Sequence, residues 1–224
     1  MMSTKMYIIR HCEAEGNVKR IFQGGVDLDI SDTGRKQLEF LGKRFKNIAV
    51  DAVYSSPLIR AMKTAHSVAD SKGLDVIPFA DLIEVRGGVI DGKPIAESFK
   101  KIPGLAYTWD NCPQDFCPEG GEPMREAYER IWNAVLEIAK QNKGKNTAVA
   151  THGGVIRCLM CRIMFNDINF LKDVEWSENT AVSLVEFDDD LNAQIVFSND
   201  RSHVPDEYMP KRNKISEFMR GDVE

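Results

Sequence analysis

Twice in this chain a short apolar run drives straight into a histidine and then into small residues. The first instance is Tyr7-Ile-Ile-Arg10-His11, and the second is Asn146-Thr-Ala-Val-Ala-Thr-His152-Gly-Gly154. Each reads as a strand whose last residue hands over to an imidazole. Ligands of open parallel sheets bind just beyond the carboxyl ends of the strands, where strand order reverses. The repeat therefore constrains the fold and places a candidate site in one step. Arg10 adds a rigid fork of donors that fits phosphate, and a neutral imidazole can act as nucleophile, acid or base. A lone Arg-His pair is more often a polar loop end, and a lone His152 a satisfied core histidine. Their recurrence at strand ends gives them weight.

Between these runs the chain alternates strand and helix signals. Ser31 or Asp32 can cap a helix carrying Leu38, Leu41 and Phe45 as an amphipathic stripe through Lys46. Asp51-Ala-Val-Tyr-Ser55 reads as a second strand. After it, Ser56-Pro57 has the look of a capping serine before a proline at the first helical position. The helix beyond shows Ile59, Met62, Ala65 and Ala69 on one face, with Arg60 in its first turn. Asp75-Val-Ile-Pro78 is a third, short strand. Met124 to Lys140 is the clearest helix, with Met124, Tyr128, Ile131, Val135 and Ile138 forming a buried stripe. Ala181–Phe187 and Gln194–Phe197 read as two strands joined across Asp188-Asp-Asp190, a solvated turn rather than a metal site. Glycine at 153 and 154 lets helix N–H groups approach an anion closely. Strands alternating with helices indicate an α/β fold: a mainly parallel central sheet flanked by helices on both faces. No clean linker interrupts it, so residues 1–224 are expected to form one domain. Residues 93–123, broken by prolines and glycines, read as a helical and loop insertion laid over the site as a lid. The tail from Pro205 is polar, with a basic cluster at Lys211, Arg212 and Lys214, expected either to fold over the site mouth or to stay unstructured.

Composition narrows the function. The chain's 29 basic against 34 acidic residues give a net charge of −5, which argues against nucleic acid as a partner. No apolar run reaches the roughly 20 residues that span a bilayer, and Met1 to Met6 lacks a secretory core, so a cytoplasmic protein with no membrane partner is expected. Five cysteines, an odd number, read as free thiols. Cys112, Cys117, Cys158 and Cys161 could supply four zinc ligands, but Cys158-x-x-Cys161 falls within an apolar helical run, which favours buried thiols and no metal.

Arg10-His11-Cys12-Glu13 with Asn17 resembles the Arg-His-Gly-Glu signature of the histidine phosphatase superfamily, the phosphoglycerate mutase-like proteins. The likeness continues through Gln23-Gly24, Asp27 and Gly34, then Ser55-Ser-Pro-Leu-Ile-Arg60-Ala-Met-Lys-Thr64 and Leu82-Ile-Glu84 with Gly88 and Gly92. It takes in Pro118-Glu-Gly-Gly-Glu122 and Thr151-His152-Gly-Gly154, and ends at Asn199-Asp200 and His203. The resemblance implies that His11 accepts the phosphoryl group as a phosphohistidine, which water then hydrolyses. It implies that Arg10, Arg60 and His152 hold the phosphoryl oxygens, and that Glu84 protonates the leaving oxygen. Asn17 and Gln23 are secondary phosphate or substrate contacts by the same analogy, with Gly153 at the helix opening. The arginines stand in for a metal, so neither metal nor cofactor is expected. The partner is a small phosphorylated metabolite, and a homodimer is left open.

Three positions depart from the pattern. Cys12 stands where the signature has glycine, and is expected to reshape the space beside His11 and to add a redox-sensitive thiol. Ala14 replaces a hydroxyl residue, and Ile90-Asp91-Gly92 replaces Trp-Glu-Gly beside Glu84. Hydrolysis of a phosphomonoester is the leading reading. A phosphoglycerate mutase-type transfer is the rival, disfavoured because Ala14 and Gly16 occupy the Ser and Trp positions of the mutase pattern. A non-catalytic phosphate-binding relative is the third reading, motivated only by Cys12 and Ala14.

Overall fold

A computed structural model describes residues 3–209, so the basic cluster at Lys211, Arg212 and Lys214 lies outside the described residues. The first run forms β1 (Thr4–Arg10), and a short helix α1 (Glu15–Val18) follows the histidine. Helix α2 (Asp32–Phe45) leads to β2 (Ala52–Ser55), and α3 (Ile59–Ala69) to β3 (Val76–Pro78). The insertion holds α4 (Ile95–Lys101) and α5 (Leu105–Asn111). Then come α6 (Met124–Gln141), β4 (Asn146–Thr151), α7 (Gly153–Phe165), β5 (Val182–Phe187) and β6 (Ala193–Asp200).

The six strands form one sheet in the order β3-β2-β4-β1-β5-β6. Strands β3, β2, β4 and β1 run parallel, whereas β5 is antiparallel to β1 and β6 to β5. The expected mainly parallel α/β sheet is what forms, with an antiparallel pair at one edge. Side chains alternate across it with the period of two that strands impose. Met6, Ile8, Tyr54 and Val149 pack with α6 and α7, while Ile9, Val53, Ala148 and Ala150 pack with Leu41 and Phe45 of α2 and with Ala65 and Val68 of α3. Helices thus cover both faces of the buried strands.

Capping follows local chemistry at one helix and distant chemistry at the next. The Ser31 hydroxyl accepts the Gly34 N–H at 3.0 Å, as a helix-opening serine does. At α3 the expected cap fails. The helix begins at Ile59, whose N–H is taken by the Asp27 carboxylate at 2.7 Å, from a loop 32 positions earlier. Ser56 sits three residues before the helix and turns its hydroxyl elsewhere. None of the helices among the described residues is long and apolar enough to cross a membrane. Cys158 and Cys161 are buried on α7, and no group of three or more His, Cys, Asp or Glu side chains among the described residues could hold a metal ion.

Candidate active site

Register brings the two histidines together. Arg10 pairs with Thr151 across the parallel β1–β4 ladder, and the His11 N–H extends that ladder to the Thr151 carbonyl at 2.8 Å. Residues 11 and 152 therefore leave neighbouring strands at the same level. Their rings lie 5.1 Å apart, tilted by 58°, with His11 only 3% exposed and His152 fully buried.

The His11 ring is oriented by the backbone. Its Nδ1 lies 2.6 Å from the Cys12 carbonyl. A carbonyl can only accept, so Nδ1 carries the proton and Nε2 keeps its lone pair. Burial, then the charges of Arg60 and Arg10, hold the His11 pKa well below its ordinary value. His152 is pushed down in the same way, by burial first and then by Arg60, His11 and Arg10. Both rings are neutral at neutral pH.

The two arginines face these rings from different elements. Arg10 ends β1 and donates from Nη1 to the Ser177 carbonyl at 2.6 Å. Arg60, in the first turn of α3, is wholly buried. It donates from Nη1 to the Val26 carbonyl at 2.7 Å and from Nη2 to the Gly24 carbonyl at 3.1 Å, and its Nε has no hydrogen-bond partner among the described residues. Among the described residues no carboxylate forms a direct salt bridge with Arg60, although the charges of Glu84, Asp27 and Asp91 act on it. An arginine is not deprotonated in a protein, and a buried charge is costly unless paired. The pocket thus sets two guanidinium groups beside two uncharged imidazoles, donors suited to the oxygens of an anion.

Glu84 reaches the same spot through α7. Its carboxylate accepts the Val85 N–H at 3.0 Å and the Gly154 N–H at 3.1 Å. The Gly154 N–H, expected to face a bound anion, is thus taken by the Glu84 carboxyl group. A methyl group at 154 would sit 2.6 Å from the Glu84 Oε1, and one at 153 would come within 3.2 Å of the Trp176 ring. A side chain at 154 would displace the Glu84 carboxyl group, and one at 153 would press on the indole. Trp176 stacks in turn on Trp109 of α5, centroids 5.4 Å apart at 22°, and Trp109 contacts Phe22, Phe99 and Phe116. The insertion is anchored at the edge of the site by this aromatic cluster.

The remaining expected contacts lie on the loop side. Gln23 packs against Gly16, directly before the Gly24 carbonyl that Arg60 holds, and its Oε1 is buried with no hydrogen-bond partner among the described residues. Asn17 uses its Oδ1 to accept the Ala14 N–H at 2.9 Å, closing the turn at α1.

Two expectations about the departures are corrected. The Cys12 side chain is fully buried, with its sulfur towards Gly34 of α2, and its backbone N–H donates to the Thr64 hydroxyl at 3.0 Å. It lies in the α2–α3 seam rather than beside the His11 ring. Burial raises its thiol to about 12, the opposite of a redox-sensitive cysteine. Asp91 turns inward, accepting the Gly87 N–H at 2.9 Å and packing on Gly24, and so ties two loops together.

Other residues carried no signal in the sequence. The Asn179 Nδ2 donates to the His11 carbonyl at 2.9 Å, and the Thr180 N–H donates to the Arg10 carbonyl at 3.0 Å. Thr180 holds φ of 56°, a conformation that costs a non-glycine residue on the order of 1–3 kcal/mol. This short polar loop before β5 clamps the Arg10-His11 backbone, yet it reads as any polar loop.

Comparison with known proteins agrees with this geometry. The model of the histidine phosphatase superfamily (branch 1) matches residues 6–201. Phosphoserine phosphatase 1 of Hydrogenobacter thermophilus is 28% identical over 214 residues, covering 94% of this chain and 99% of that protein. The metal-independent phosphoserine phosphatase of Arabidopsis thaliana is 34% identical over 166 residues, covering 71% of this chain and 68% of that one. Among solved structures, YhfR of Bacillus stearothermophilus superposes with a TM-score of 0.83 at 27% identity, over 89% of this chain and 98% of that one. With the signature residues gathered at one sheet edge and the match running nearly end to end, the chain belongs to the histidine phosphatase superfamily and is an enzyme acting as a phosphomonoesterase.

Proposed function

We propose that the enzyme hydrolyses a small phosphorylated metabolite in the cytoplasm, through a phosphohistidine at His11 and without a metal. In the first step the His11 Nε2 lone pair attacks phosphorus. The P–N bond forms as the ester P–O bond breaks, and Glu84 gives its proton to the departing oxygen. In the second step Glu84 takes a proton from water, whose oxygen attacks phosphorus, and the P–N bond breaks to release inorganic phosphate. Arg10, Arg60 and His152 hold the three phosphoryl oxygens, and positioning with charge neutralisation supplies most of the acceleration in such transfers. Asn17, Gln23 and Gly153 complete the substrate side.

One observation carries this reading: an imidazole with a free Nε2 packs on a second buried imidazole beside a buried arginine whose Nε has no hydrogen-bond partner among the described residues. The test compares p-nitrophenyl phosphate turnover by the wild type and by His11→Ala. A loss of at least about 10³-fold is expected for removal of a nucleophile, with acid-labile, alkali-stable phosphate on the wild type alone. Equal rates would remove the claim. Activity is expected to survive exhaustive chelation, and loss with recovery on Mg²⁺ or Zn²⁺ would contradict the route. Phosphoserine, named in both relatives described above, heads the substrate panel. Isomer rather than inorganic phosphate from 3-phosphoglycerate with bisphosphoglycerate would favour the mutase reading.

A further inference from the structure

Ser56 has a role that follows from proton counting. Strands β2 and β4 pair with Ser55 opposite Ala150, and the Ser56 N–H continues to the Ala150 carbonyl at 3.0 Å. This carries a fully buried hydroxyl to the end of β4, where its Oγ lies 2.7 Å from the His152 Nε2. The other partner of that oxygen is the Leu58 N–H at 3.4 Å, a donor. A serine hydroxyl has one proton to give. Among the described residues, the His152 Nε2 is its one acceptor within reach. If His152 donated instead, the serine oxygen would accept twice and its own proton would be left buried and unbound, at the cost of an unsatisfied donor. The hydroxyl therefore donates, Nε2 accepts, and the proton of the neutral ring resides on Nδ1. That Nδ1 is buried and has no hydrogen-bond partner among the described residues.

The two histidines are thus fixed by different means. A backbone carbonyl sets the tautomer of His11, whereas no backbone group among the described residues does so for His152. We propose that Ser56 is a positioning residue that locks His152 as the Nδ1–H tautomer, so that Nδ1 donates to a phosphoryl oxygen held at His11. In the other tautomer a lone pair would meet the phosphoryl group and repel it. The catalytic consequence rests on the phosphatase reading above, but the tautomer itself does not.

The experiment reads the two separately. The chain has four histidines, so ring ¹⁵N–¹H correlation spectra are tractable, and a His152→Gln variant assigns the signals. Wild type is expected to show a protonated Nδ1 and an unprotonated Nε2 on His152, with the Nδ1 proton shifting when inorganic phosphate is added. Ser56→Ala is expected to populate the Nε2–H form and to slow p-nitrophenyl phosphate turnover by about 10- to 100-fold, below the effect of deleting an oxyanion donor outright. Ser56→Thr, which keeps the hydroxyl, should restore both. An Nε2–H signal in the wild type overturns the proposal without any variant having to fold. So does a Ser56→Ala enzyme that slows while its His152 spectrum stays unchanged. If the wild type turns over no faster than His11→Ala, the phosphatase reading has failed, and the spectra still decide the tautomer.

Discussion

Arg60 shows how a single buried charge can define a site. Its fork is fully enclosed and spends two donors on the carbonyls of Val26 and Gly24, which pin the loop carrying Gln23. Among the described residues Glu84, Asp27 and Asp91 favour its charge without forming a salt bridge to it, and its Nε is left without a hydrogen bond, so the guanidinium is better satisfied once an anion arrives. Inorganic phosphate at 100 times its dissociation constant should then stabilise the wild type by about 2.7 kcal/mol, seen as a rise in Tm. Arg60→Met should abolish most of that rise together with turnover. An undiminished phosphate shift in this variant would place anion binding elsewhere. At the same scale, Cys12 shows that a motif position is not a chemical environment: its thiol is enclosed, raised to about 12 and turned from the nucleophile.

Between elements, the loop carrying Glu84 is held from α6. Arg130 donates through Nε and Nη2 to the buried Glu122 carboxylate, both at 2.7 Å, and through Nη1 to the carbonyls of Asp81 and Ile83 at 2.6 and 3.1 Å. One guanidinium thus joins the end of the insertion to the segment immediately before the proposed acid. Arg130→Met leaves a buried carboxylate unpaired and should cost about 3–5 kcal/mol in urea unfolding. Adding Glu122→Gln should recover much of that stability while kcat stays low, because the carbonyls of Asp81 and Ile83 remain unheld. Full recovery of kcat in the double variant would show that the clasp does not position Glu84. The helix-period stripe of α6 was legible in the sequence, since its apolar residues recur at helical spacing. The clasp on its polar face was not, because a charged residue off the stripe looks the same whether it is solvated or bidentate.

Across the whole molecule, protons bind unequally to the folded and unfolded chain. His11, His152 and His203 are all held below the ordinary histidine value, His203 to about 4 by burial and by Arg44. Unfolded histidines titrate near ~6.5. As pH falls through that value the unfolded chain takes up protons that the folded chain refuses, so stability declines. For His203 the loss accumulates from there down to about 4. Asp200, lowered to about 2 against the cost of burial by the Ser202 N–H and then by Arg44, adds a further loss below the usual carboxylate range. Tm should therefore be flat above neutrality and fall steadily in acid. His203→Asn, whose amide oxygen can still accept from Arg44, should flatten the slope between pH 6.5 and 4. An unchanged slope would mean that His203 is not buried neutral. The same titration keeps His11 a free base well into acid, so kcat/KM should show no loss near pH 6.5 from this residue.

What the sequence determined by itself is what repeats along the chain. Period-two runs gave strands, helical stripes gave α2, α3 and α6, and the residues at strand ends marked the edge that carries the chemistry. The superfamily was legible for the same reason, because its motifs are short and local. Tertiary structure alone decided what depends on ladder register between distant segments. It set Arg10 opposite Thr151, gave the cap of α3 to Asp27 rather than Ser56, and freed the Ser56 hydroxyl for a histidine 96 positions away. A hydroxyl's choice of partner costs little in local propensity, so nothing along the chain records it.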